Sequence, residues 1–266
     1  MTPLDAADRR TAAALHALAV LILGGVAVAA AAVLRRGLVG WSEGVPTGFA
    51  AAAGETLRAA GLATLLGGLP GVLVAVHLGE LSDGAWRRRA IGVLQSAAAL
   101  PGVVFGWTAL QVLPALGRPA VGPLALGAVL GIMIVPAVAL RALVALRAAP
   151  DGLREASAAL GASPWHTAWR VVVPACRRDL GAAVGVGFAR AAGETVAVQL
   201  LAARLGGPRT LGARILDGLP RAPADSPWNH SLFAMLIVLL IFTTGVALLT
   251  SPSRSSRASA PSPSAR

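Results

Sequence analysis

Six apolar runs punctuate the chain, near residues 15 to 34, 57 to 79, 90 to 113, 123 to 146, 180 to 203 and 231 to 250. Each is a nearly continuous series of Ala, Leu, Val and Gly with no alternation of apolar and polar positions. A transmembrane β-strand takes only about ten residues and alternates, whereas a helix needs roughly 20 apolar residues to cross a hydrocarbon core about 30 Å thick. The pattern predicts an all-α fold, an integral membrane bundle of six transmembrane helices over residues 15–250. A short tail, 1–14, precedes the bundle. The first run follows Arg9 and Arg10 and exceeds the apolar stretch of about 7 to 15 residues found in a cleaved signal, so it is expected to stay as an anchor. The closing segment, "SPSRSSRASAPSPSAR", is Ser/Pro/Arg-rich, and 251–266 is expected to be a disordered tail.

Composition supports the same class. The 266 residues are 56% hydrophobic and 13% charged, with a mean hydropathy of +0.71, which leaves too few polar groups to cover a soluble surface. The net charge of +11 comes from arginine alone, because the sequence contains no lysine. In a soluble chain such an excess would point to nucleic acid; here orientation and anionic membrane lipid account for it, and no nucleic-acid partner is expected. With a cytoplasmic amino terminus, arginines such as Arg87 to Arg89, Arg147, Arg154, Arg177 and Arg178 fall on inside segments, which places both ends in the cytoplasm. Trp41, Trp86 and Trp228 fall at run ends as interfacial anchors.

Some chemistries are excluded. Without lysine no G-K-[ST] phosphate loop exists, so any energy from ATP must be supplied by another chain. The single Cys176 allows no internal disulfide and no Cys cluster for a metal. Four scattered histidines and the lack of a Ser/His/Asp arrangement give no catalytic centre, and neither metal nor cofactor is expected in this chain.

The loop between the fourth and fifth runs, 147–179, reads "RAAPDGLREASAALGASPWHTAWRVVVPACRRD" and is the longest and most charged internal segment. Pro150 and Asp151 start a helix that Asp151 could cap; Leu153, Ala156 and Leu160 share one face; and Gly161 ends it. Ser163 and Pro164 begin a second helix, serine as cap and proline where its missing N–H costs nothing. Trp165 and Trp169 lie four apart on it. A bent pair of short helices suits docking into a groove of a soluble partner; equally, its tryptophans could rest among lipid headgroups.

A second signal lies in the fifth run. "RAAGETVAV" at 190 to 198 places Arg190 and Glu194 four apart, where one helix face would present both and each would partly neutralise the other. Unpaired, each would cost about 2.5 to 3.5 kcal/mol at the bilayer centre. A stabilising pair is one reading; a polar path for an oxyanion is the other, since a guanidinium never titrates and matches two oxygens. The string AAGET also occurs at 52 to 56, where Glu55 precedes the second run and should be solvated at the outer interface, so that repeat is read as coincidence. His77 and Glu80 close the second run as interface residues, and Arg141 can snorkel. Pro70, Pro101 and Pro136 each permit a kink.

Glu155-Ala156-Ser157, Gly161 six residues after the glutamate, and Val171, Val173 and Pro174 resemble the "EAA" signature of ABC-importer permeases, departing at Ser157, Val171 and Val173. "LPGVVFGW" at 100 to 107 and "RAAGETVAV" are similar to stretches of phosphate permeases, and Ala197 and Val198 after the GET string resemble the PstC-type subunit. The likeness runs from about residue 55 to 250 and implies a type I ABC importer permease fold. Sulfate and molybdate permeases tend to carry G-E-F there, so Thr195 favours phosphate. By the resemblance, the 147–179 loop carries the coupling helix on the cytoplasmic side, with Glu155, Ala156, Gly161 and Pro174 in ATPase coupling; Arg190, Glu194 and Thr195 are the residues expected to line the substrate path on the charge argument above. It implies a multi-pass inner-membrane subunit that imports inorganic phosphate, is itself no enzyme, pairs with a second permease as a heterodimer, and receives its cargo from a periplasmic or extracytoplasmic phosphate-binding protein. ATP and Mg belong to the partner ATPase dimer. The partner PstA-type permease, a permease for molybdate or sulfate, and a non-transporting membrane scaffold are the rival expectations.

Overall fold

A computed structural model describes residues 3–117 and 120–250, with side chains from Leu18 onward. The side chains of Arg9 and Arg10 and the tail 251–266 lie outside the described residues. All regular structure among these residues is helical. In lipid no water is available to satisfy exposed backbone groups, and a helix satisfies them within itself. The order is α1 (Pro3–Ser42), α2 (Phe49–Leu81), α3 (Gly84–Ala98), α4 (Gly102–Ala115), α5 (Pro123–Arg147), α6 (Asp151–Ala159), α7 (164–175), α8 (Arg177–Ala192), α9 (Val196–Leu205), α10 (Leu211–Gly218) and α11 (Pro227–Leu249).

Four helices are long and apolar enough to cross a membrane unaided: Leu18–Ser42 within α1, α2, α5 and α11. The other two runs are not continuous helices. The third is divided into α3 and α4, which meet at 90°. Pro101 is extended there (ψ 144°), and the residue before a proline is driven out of the helical region. The fifth is divided at Gly193, Glu194 and Thr195 into α8 and α9. Among the described residues, six expected spans thus become four continuous helices, or five with the bent α3–α4 pair taken as one, and the fifth run becomes two shorter helices. Pro136 stays inside unbroken α5, while Pro70 follows a π-helical stretch, Thr64–Gly68, that absorbs its lost hydrogen bond.

The chain divides into two compact units. The first comprises Met1–Thr47 and Gly218–Ile237. Within it α1 approaches the first half of α11 through Gly37 and Gly40: a methyl group at Gly37 would lie 2.8 Å from the Phe233 carbonyl oxygen, and one at Gly40 would strike His230. The Trp41 indole donates to the Ala234 carbonyl at 3.3 Å, and the Arg36 guanidinium stands 5.3 Å from the centre of the Phe233 ring.

The second unit holds Gly48–Asp217 and Val238–Arg266. Its centre is α5, where Leu126, Leu130, Met133, Ile134, Val138 and Leu146 are fully buried. Small residues let the neighbouring helices close on it, since membrane helices associate through tight packing rather than hydrophobic expulsion. Gly67 of α2 meets the backbone of Gly131, Gly71 meets Val138, and Gly187 of α8 meets Val138 from the other side. The first AAGET string lies inside unbroken α2. Glu55 there is a half-buried helical residue paired with Arg58 at 3.0 Å, rather than a group at a run's edge. Thr56 accepts the Leu211 backbone N–H at 2.9 Å and so fixes the start of α10.

The contact at Gly67 generates a prediction. Gly67→Ala drives a methyl into the Gly131 backbone and should destabilise the protein by about 1–3 kcal/mol. Gly61→Ala, which meets nothing within 4 Å, should change stability by less than about 1 kcal/mol. Thermal unfolding in detergent compares the two, and equal melting temperatures would refute the contact.

Candidate functional site

Two features stand out in the second unit: the bent segment 151–175, and the place where the two broken spans meet. In the bent segment α6 begins at Asp151, but Pro150 occupies the cap position and makes no side-chain cap. Asp151 instead sits in the first turn, 3.5 Å from Arg154. The helix ends at Leu160, and Gly161 takes the left-handed conformation (φ +78°), which only glycine adopts freely. Ser163 then caps α7, its hydroxyl accepting the His166 N–H at 3.2 Å.

Between the two arms runs a groove lined by Leu153, Ala156, Leu160, His166 and Val171. Leu160 is 89% exposed and Trp165 62% exposed. Glu155, Ala156, Gly161 and Pro174 are all exposed along this segment. Ser157, where the signature has alanine, is buried, and its hydroxyl meets that of Thr167 at 2.8 Å across the bend. That hydrogen bond holds the two arms together.

Beneath the segment lies a residue pair the sequence reading did not connect. Arg154 reaches back 74 positions to Glu80 at the end of α2, with Nε to Oε2 at 3.0 Å and Nη2 to Oε1 at 2.7 Å. The same guanidinium donates at 2.8 Å to the carbonyl of Leu146, in the last turn of α5, which also accepts the Ala149 N–H, and at 3.2 Å to the carbonyl of Ala149, just past that helix. The hydrogen bond to Glu80 raises the Arg154 pKa further, so the cation does not titrate. No local motif marks this pair. Its only trace in the sequence is an acid at the end of an apolar run and an arginine in a charged loop.

At the broken spans, Arg190 and Glu194 do not pair with each other; the helix they would share stops at Ala192. The Arg190 guanidinium donates to the Ala98 carbonyl at 3.2 Å, at the C-terminal end of α3. The Glu194 carboxylate accepts the Ala197 N–H at 3.0 Å, in the first turn of α9, and lies against Gly102, the first residue of α4. Each charge therefore faces the helix end of opposite partial charge. Such an arrangement contributes about 0.3–1 kcal/mol, and up to about 2 when partly buried, against the cost of placing the charge in the membrane. Thr195 is half-buried just before α9, and its methyl packs where a side chain on Gly212 would stand. The structure brings Arg190, Glu194, Ala98 and Gly102 to one junction; Glu155, Ala156, Gly161 and Pro174 belong to the bent segment.

Two substitutions test these contacts. Ser157→Ala leaves the Thr167 hydroxyl buried and unpartnered, at a cost of about 1–3 kcal/mol, and adding Thr167→Val should recover most of it; additive losses in thermal melts would contradict the bond. A methyl at Gly102 would lie 2.5 Å from both Glu194 carboxylate oxygens. Gly102→Ala should therefore displace the flexible Glu194 carboxylate from the Ala197 N–H, at a cost no larger than about 1 kcal/mol in the same measurement, and less when Glu194→Ala has removed the obstruction.

A family model described as the binding-protein-dependent transport system inner membrane component matches residues 44–251. A probable ABC transporter permease protein, YqgH, of Bacillus subtilis is 30% identical over 199 residues, covering 68% of this chain and 63% of that protein. The phosphate transport system permease protein PstC 1 of Mycobacterium bovis is 30% identical over 265 residues, covering 93% of this chain and 72% of that protein. Of other permeases it matches, the chain spans as little as 47% of the length. Among solved structures, an inward-facing MetNI methionine ABC transporter aligns with a TM-score of 0.61 at 22% identity, over 77% of this chain and 92% of that one, a likeness of fold. With three of the four apolar helices, the bent α3–α4 pair and the bent segment inside the matched region, the chain belongs to the family of binding-protein-dependent transport system inner membrane components.

Proposed function

We propose that this chain is one permease subunit of an ATP-driven importer and that it passes inorganic phosphate into the cytoplasm. The observation that carries the reading is Arg190: a half-buried guanidinium at the junction of two broken spans, with a single hydrogen bond to Ala98. An arginine offers five donors in a planar fork, and one bond leaves the others for an oxyanion. Thr195 and the similarity to permeases named for phosphate transport support that anion over others. Glu194, beside the path, lowers the net attraction so that the anion is released rather than held. Its own cost is met at the starts of α9 and α4.

In this reading a second permease completes the path as a heterodimer, and an extracytoplasmic binding protein delivers the anion. An ATPase dimer, which holds the ATP and Mg, docks on the groove between α6 and α7. Both chain ends then face the cytoplasm in the cell's inner membrane, and no covalent step takes place in this chain. Glu155, Ala156, Gly161 and Pro174 present the docking surface, with Gly161 setting the bend and the Ser157–Thr167 bond fixing it.

Arg190→Gln removes the charge while keeping a polar side chain. Radiolabelled phosphate uptake in cells lacking the native chain should be restored by the unaltered protein and abolished by Arg190→Gln, while co-purification of the ATPase is unchanged. Uptake that persists in the variant overturns the assignment. Competition by sulfate and molybdate separates phosphate from the other oxyanions.

A further inference from the structure

The Glu80–Arg154 pair lies outside the docking groove and outside the path, yet it is among the most extensively hydrogen-bonded side-chain groups in the second unit. Glu80 keeps only 8% of its side chain exposed and Arg154 28%. One guanidinium holds three elements at once: Glu80 at the π-helical end of α2, the Leu146 and Ala149 carbonyls at the end of α5, and the first turn of α6, which carries it. Gly79 lets the Leu146 side chain come up against α2, where an added methyl would stand 3.3 Å from Leu146 Cδ1.

A buried ion pair adds little net stability compared with apolar packing of the same volume; what it fixes is position, because breaking it strands a charge. The side-on, two-point contact fixes direction as well as distance, which a lysine cannot do. From this joint, α5 runs as an unbroken helix to Val138 and Ile134. Gly71 of α2 and Gly187 of α8 both pack on Val138, and Gly187 stands one turn before Arg190. Leu153, Ala156 and Leu160 line the groove on α6, while Arg154 is not among the lining residues and reaches back to α2 and α5.

We infer that the Glu80–Arg154 ion pair is the joint through which displacement of the docking segment is delivered to α2 and α5, making Arg154 and Glu80 positioning residues for transport. The inference rests on the transporter reading above. Its mechanical content is that a push on α6 is not taken up freely by the loop 148–150, because the guanidinium ties α6 directly to the Leu146 carbonyl before that loop, to the Ala149 carbonyl within it and to Glu80 of α2. The rigid helices then carry the motion to the junction at Arg190.

The test uses the complete transporter in proteoliposomes, with Arg154→Lys and the near-isosteric Glu80→Gln. Three quantities are read: recovery of the ATPase with the chain, ATP hydrolysis, and phosphate moved per ATP hydrolysed. Both variants should keep the ATPase and its hydrolysis while phosphate moved per ATP falls at least about fivefold, the lower end of typical coupling between sites. An unchanged ratio overturns the joint. So does a parallel loss of ATPase recovery, hydrolysis and uptake, which would make the pair a structural tie only. If the unaltered chain recovers no ATPase or moves no phosphate, the transporter reading fails and the joint with it, so the two failures are read from different arms.

Discussion

A helix that ends inside an apolar membrane exposes backbone N–H and C=O groups that no water can satisfy, and the rest of this structure depends on how those ends are met. Arg190 supplies a donor to the Ala98 carbonyl, where α3 stops. Glu194 supplies an acceptor for the Ala197 N–H, where α9 starts. The breaks and the charges therefore explain one another. Continuous helices in both runs would leave each charge in hydrocarbon with no complementary helix end, and apolar residues at both positions would leave the helix ends bare.

The same rule governs the opposite end of the unit. The turn that ends α5 gains a further donor in Arg154, which bonds the Leu146 and Ala149 carbonyls and is balanced by Glu80. Two arginines thus complete helix ends, one at a junction between spans and one beneath the bent segment. Between them lies α5, packed through glycine contacts on α2 and α8, with little room for those helices to slide independently. A fold held by small-residue contacts transmits displacement because close-packed interiors do not deform continuously.

The two copies of AAGET show the limit of local sequence. At 52 to 56 the five residues form an uninterrupted stretch of helix; at 191 to 195 they contain a helix end and the residues before the next helix. Glu55 has Arg58 three residues on and pairs with it, whereas Glu194 has Ala197 there and takes its backbone N–H instead. Gly102, from a distant part of the chain, lies close against the second carboxylate. Local composition is shared, and tertiary surroundings separate the outcomes.

Apolar runs of membrane length, the lack of lysine and the Ser163–Pro164 and Gly161 signals together determined an all-helical membrane protein with a bent loop, because hydrophobic length and cap chemistry act locally. The spacing of Glu155, Gly161 and Pro174 was likewise legible, since all three belong to one segment. The third run breaks locally at Pro101, whereas tertiary structure alone decided that the fifth run stops at Ala192, that Arg190 and Glu194 serve separate helix ends, and that Glu80 meets Arg154 across 74 positions. Those outcomes depend on which helix ends come to lie beside which charges, a matter of packing geometry that residues adjacent in sequence do not encode.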